Sequence, residues 1–97
     1  ASDVHLSTAS AWEIAVKHGL GKLPLPDVPD RLVPALRAAL DIRTLPIDEE
    51  SALAVGRLPP IHRDPFDRIL VAQAIVHGLV LVTSDDLVRR YPVRTLW

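Results

Sequence analysis

Asp64-Pro65-Phe66-Asp67-Arg68-Ile69-Leu70-Val71-Ala72-Gln73-Ala74-Ile75-Val76-His77-Gly78-Leu79-Val80-Leu81-Val82-Thr83 carries one helix into one strand, and its reading decides the fold. Asp64 has the short acidic side chain that caps a helix, and Pro65 suits the first helical position, where no N–H is needed. The apolar run Ile69 to Val76 predicts a largely buried helix, which Gly78 ends. Leu79 to Thr83 is apolar without alternation, as expected of a central parallel strand covered on both faces.

Upstream, the same two periods recur. Val4-His5-Leu6 is a short strand-like run. Ser10 and Glu13, three residues apart, have the spacing of a capping box, and Ile14, Ala15, Val16 and Leu20 form the helical face behind it. That reading puts Glu13 in the first turn, with Gly19 and Gly21 as the stop. Leu23 to Pro29 holds three prolines in seven residues and is a loop. A second helix runs from about Pro29 to Leu40, with Leu32, Val33, Leu36 and Leu40 on one face; Pro34 fits it only within the first turn. Ile42 to Ile47 reads as a strand, and Asp48 caps a short helix that ends near Gly56 before Pro59-Pro60. Downstream, Asp85 to Arg90 is a short helix and Val93 to Trp97 a last strand. Alternating strands and helices define an α/β domain with a mostly parallel sheet.

Composition bounds the function. The 97 residues make one small domain with 48% hydrophobic content, enough for a core. Eleven basic and twelve acidic residues leave a formal charge of -1, so no overall basic footprint marks a nucleic-acid coat. The absence of cysteine rules out disulfides and thiolate zinc sites. No signal core and no membrane-length apolar run occurs, and a cytoplasmic location is expected. Neither a Gly-rich phosphate loop nor a Gly-x-Ser-x-Gly elbow is present.

Three carboxylates stand at positions able to do chemistry. Glu13 and Asp85 each come after a strand at the start of a helix, and open parallel sheets bind ligands at the carboxyl ends of their strands. Asp67 lies in the first turn of a helix that comes after another helix, so only its spacing connects it to the other two. Carboxylates without sulfur or histidine partners suit hard divalent ions, and paired ions about 3.5–4 Å apart suit phosphodiester hydrolysis. Each residue also has a structural role open to it. Glu13 can complete the capping box, Asp64 can be only a cap, and Asp67 can favour the helix dipole. Asp85 or Ser84 can cap the short helix that runs to Arg90, and Asp86 reads as a solvated charge. The histidines His5, His18, His62 and His77 show no metal-ligand spacing and are read as surface or loop residues. Trp12 and Trp97 are read as packing residues of the core or its rim.

These segments resemble the PIN-domain ribonucleases of the VapC toxin type, found in type II toxin–antitoxin systems. Ser10 to Ala15 with Gly19-Leu20-Gly21-Lys22-Leu23 looks like the second acidic segment of that family. His62 to Ala74 resembles the third, D-P-F-D-R-x-L-x-A-Q-A. Leu81-Val82-Thr83-Ser84-Asp85 matches the fourth, a strand ending in T-x-D, and Tyr91-Pro92-Val93 to Leu96-Trp97 looks like the last strand. The resemblance implies a PIN-like three-layer α/β/α fold and an RNA-cleaving site that uses Mg²⁺ or Mn²⁺ to activate water. It implies that Glu13, Asp67 and Asp85 are the catalytic and metal-binding carboxylates, that Thr83 supports them, and that Asp64 and Arg68 are neighbours. A cognate antitoxin and a homodimer are the implied partners.

One departure accompanies the match. The family opens with a strand ending in its first metal-binding aspartate, and no such element precedes Val4. The domain is therefore read as N-terminally incomplete, whether through a truncated or misread frame, proteolysis, or a strand supplied by a partner chain. Two other functions stay open: a catalytically inactive PIN-like fragment acting as a binding or assembly module, and a Mg²⁺-dependent α/β phosphatase.

Overall fold

The computed structural model describes residues 3–96. By its contacts the chain divides into two compact units, one up to Pro46 and one from Ile47 onward.

In the first unit, strand β1 (His5–Ser7) leads into helix α1 (Thr8–Gly19), helix α2 (Pro29–Leu40) and strand β2 (Arg43–Leu45). The two strands are parallel, with Leu6 opposite Thr44. A parallel return needs a long crossover, which the two helices provide. Arg37 on α2 ties them to the strands, because its Nη1 donates to Leu6 O and Arg43 O, both at 3.1 Å. Ala9 and Ser7 are the buried residues among those described in this unit.

Four expectations change here. The cap of α1 is Ser7, whose side chain accepts from Ala9 N at 3.0 Å. Ser10 is therefore inside the helix and Glu13 lies beyond its first turn, so no capping box forms. The serine at the strand's end wins because it is the residue still in extended conformation. Pro34 sits inside α2, past the first turn, where it removes one backbone hydrogen bond without ending the helix. The expected α2 face is not buried: Leu36 and Leu40 are exposed, and no residue of this helix is fully buried. Trp12 is 59% exposed and is no core residue, while Trp97 lies outside the described residues.

In the second unit, Asp48 caps helix α3 (Glu49–Ala54) by accepting from Ser51 N at 3.0 Å, and a 3-10 turn (Val55–Arg57) extends it. Helix α4 (Pro65–His77) has the predicted ends. Asp64 Oδ1 accepts from Phe66 N at 2.8 Å, Pro65 occupies the first helical position, and Gly78 closes the helix with φ of 66°. That left-handed geometry is the one glycine adopts without a Cβ penalty. Strands β3 (Leu81–Val82) and β4 (Thr95–Leu96) are parallel, and a 3-10 turn (Val88–Arg90) lies between them.

The core of this unit is Val71, Val88 and Tyr91, with Leu58, Ile61, Leu81 and Val93 packed around them. Each fully buried valine is worth about 1.5–3 kcal/mol relative to an exposed one. Burial along α4 is narrower than its sequence predicts. Only Val71 to Ala74 are fully buried, and Ile75 is exposed. Leu79 to Thr83 is also not a central strand covered on both faces. Only Leu81 and Val82 pair, β4 is their one partner among the described residues, and Val80 and Val82 are exposed. The α/β class holds, and the strands of each unit pair in parallel, β1 with β2 and β3 with β4. No helix among the described residues is long and apolar enough to cross a membrane.

Candidate metal centre

In the second unit the first turn of α4 and the loop after β3 bring their carboxylates to a common histidine. His62 Nε2 stands 3.1 Å from Asp67 Oδ2 and 3.2 Å from Asp85 Oδ2. One ligand-capable atom from each of the three residues lies within 4.8 Å of the others. Among the described residues this is the one group of three or more His, Cys, Asp or Glu side chains so arranged.

Local structure explains each placement. With Asp64 as cap and Pro65 first, Asp67 falls in the opening turn of α4, where the helix dipole favours its charge. Asp85 is held by its own loop. Its N–H donates to Thr83 Oγ1 at 3.0 Å, and its Oδ1 accepts from Leu87 N at 2.8 Å and Val88 N at 3.1 Å. Oδ1 is thus spent on the turn while Oδ2 is left for His62. The short helix expected from Asp85 to Arg90 shrinks to the 3-10 turn Val88–Arg90, whose cap is Leu87, so Asp85 braces the turn before it instead of capping a helix. The Val88 N–H, helped by His62 and the Leu87 N–H, keeps this carboxyl below the usual carboxylate range against the opposing effect of partial burial.

His62 is fixed from several sides. Its backbone N–H donates to Tyr91 Oη at 2.8 Å, and its carbonyl accepts from Arg68 Nη1 at 3.3 Å. Its Nδ1 accepts from Asp64 N at 3.1 Å. Asp64 therefore does more than cap, since it also orients the imidazole. Arg68 is a neighbour as expected, but its guanidinium points to backbone carbonyls and Tyr91, not to the carboxylates.

Of the three carboxylates singled out in the sequence, the structure joins Asp67 and Asp85. Glu13 lies on α1 of the first unit, where its Oε2 accepts from Lys17 Nζ at 2.6 Å. The expectation of His62 as a loop residue without a site is corrected: its side chain is only 15% exposed and touches both aspartates. The expectation of carboxylates without a histidine partner falls with it. No ligand spacing in the sequence marks His62; only its place two residues before the Asp64 cap connects it to the start of α4. Tyr91, which the sequence places only in a final strand, is the other residue whose part in the site was hidden.

Two convergent carboxylates in an α/β unit define a centre suited to a hard divalent cation, which one or two carboxylates hold while it keeps several waters. The donor set fits such an ion, and Asp67 and Asp85 are the residues that would hold it. The chain matches the PIN domain over residues 1–93 and belongs to the PIN-domain family. PIN domains are generally metal-dependent nucleases that act on RNA. Comparison with curated proteins gives no match.

Proposed function

We propose that this chain is an endoribonuclease toxin of the VapC type, working in the cytoplasm with Mg²⁺ or Mn²⁺ in a three-layer α/β/α PIN fold. The observation that carries the proposal is the meeting of Asp67 and Asp85, from separate elements, around His62. When bound, a divalent ion supplies a water of lowered pKa and offsets charge on the phosphodiester. The chain's own contribution is placement. Asp67 is presented by a capped helix start, and Asp85 is braced by Thr83, Leu87 and Val88, so neither carboxylate has to reorganise before use. Family likeness gives Glu13 the same carboxylate role, and a cognate antitoxin and a second copy of the chain are the partners proposed with it.

The test is Mn²⁺-dependent cleavage of a mixed RNA pool by the intact chain, beside Asp67→Asn and Glu13→Gln. Cleavage that Asp67→Asn abolishes is the expected result. A folded chain that leaves RNA intact overturns the proposal in favour of an inactive binding module. Hydrolysis of small phosphate esters with RNA untouched points instead to a phosphatase.

A further inference from the structure

We propose that His62 is a positioning residue of the acidic centre and not a metal ligand: its Nε2–H is donated between Asp67 and Asp85. This rests on the metal-site reading above and concerns what the histidine does within it.

The far side of the ring fixes the tautomer. Asp64 N donates to His62 Nδ1 at 3.1 Å, so Nδ1 must present a lone pair there and cannot carry a proton. In a neutral imidazole the proton is then on Nε2, an assignment made from the hydrogen-bond partners. Nε2 in turn faces Asp67 Oδ2 at 3.1 Å and Asp85 Oδ2 at 3.2 Å, both of which can only accept when ionised. These contacts of the ring all agree with this one tautomer.

A metal-ligating histidine has the opposite polarity. It turns a lone pair to the ion and donates its other ring N–H to a carboxylate, carbonyl or water. Ligation through Nε2 would put a proton on Nδ1, directly against the Asp64 N–H. Turning the ring away would give up the Asp64 N–H at Nδ1 and both carboxylate contacts at Nε2 together, while Tyr91 and Arg68 keep the His62 backbone in place. What this geometry does well is different. Two carboxylates brought close repel each other, and one N–H shared between them offsets that repulsion and fixes the oxygens' spacing.

The experiment is ¹⁵N NMR of the histidine ring nitrogens in the intact chain at neutral pH, with and without Mg²⁺. We expect His62 to show a protonated Nε2 and a bare Nδ1, unchanged by Mg²⁺. A proton on Nδ1 or on both nitrogens overturns the proposal. So does directly coordinated ¹⁴N in the pulsed EPR spectrum of the Mn²⁺-loaded chain. Mn²⁺ affinity of His62→Ala should fall about 10–100-fold, as for other supporting residues of metal sites. His62→Gln, which keeps an N–H donor, should recover most of that loss, and a glutamine variant as weak as alanine counts against the donor role. If the unmodified chain binds no Mn²⁺, the metal-site reading fails and the positioning role with it. The ring spectrum, which needs no metal, still separates that failure from a wrong tautomer.

Discussion

The guanidinium of Arg68 donates to the phenol oxygen of Tyr91 at 3.1 Å, although one side chain rises from helix α4 and the other comes just after the last 3-10 turn. The same phenol oxygen accepts the His62 N–H, so the pair forms a bracket behind the acidic centre. Arg68 completes the bracket by reaching Val55 O, Pro59 O and His62 O.

Arg68→Ala should lower stability by about 2 kcal/mol or more, because a charged donor is lost and several part-buried acceptors go unpaired. Arg68→Lys should not restore it, since one ammonium cannot span the acceptors a planar guanidinium reaches. Tyr91→Phe should cost about 1 kcal/mol. Thermal melts decide this, at roughly 4–8 °C per kcal/mol for a domain of this size; a lysine variant as stable as the parent would refute the bracket.

Asp85 should separate by substitution into its two duties. Asp85→Asn keeps an Oδ1 acceptor for Leu87 N and Val88 N but turns its amide nitrogen to the His62 Nε2–H, so the melting temperature should fall less than in Asp85→Ala while Mn²⁺ binding is lost. Asp85→Ala should lose both. Calorimetric metal titration beside a thermal melt reads the split, and an asparagine variant that still binds Mn²⁺ normally would remove Asp85 from the site.

Ser7→Ala should destabilise α1 by about 1 kcal/mol, the usual cost of a lost N-cap. Ser10→Ala should change stability by less than about 0.5 kcal/mol, because Ser10 is an interior helical position. Urea denaturation of both variants compares the cap in the structure with the capping box that the sequence spacing favours.

That contrast shows why some features are legible in the sequence and others are not. Asp64, Pro65 and Gly78 fix both ends of α4 through their own backbone preferences, so sequence alone locates them. Ser7 and Ser10 offer the same chemistry three residues apart, and which of them caps depends on where β1 stops. The apolar run Leu79 to Thr83 cannot reveal how few partners its strand has, because pairing with Thr95 and Leu96 is a long-range event. Asp67 and Asp85 are legible by type and position. His62 is not, because ligand spacing is a pattern along the chain, whereas its partner Asp85 arrives from a distant loop.

Acid should weaken the second unit through Asp48. His77 at 2.8 Å, then Ser51, hold the Asp48 carboxyl well below its unfolded value of 3.8. A depressed folded pKa contributes stability that is present above the unfolded value and is lost as pH falls through the folded one. The loss should therefore begin below about pH 4, and Asp48→Asn should flatten it. Melts from pH 7 down to pH 2 measure the slope; identical slopes for parent and variant would exclude Asp48 as its source.

Because one oxygen of Asp85 braces its loop while the other faces His62, two separate demands meet in one side chain. If the proposed RNA cleavage were given up, an acidic or amide side chain at position 85 would still be needed to hold the turn. An asparagine there would then mark a descendant that had shed the chemistry and kept the architecture.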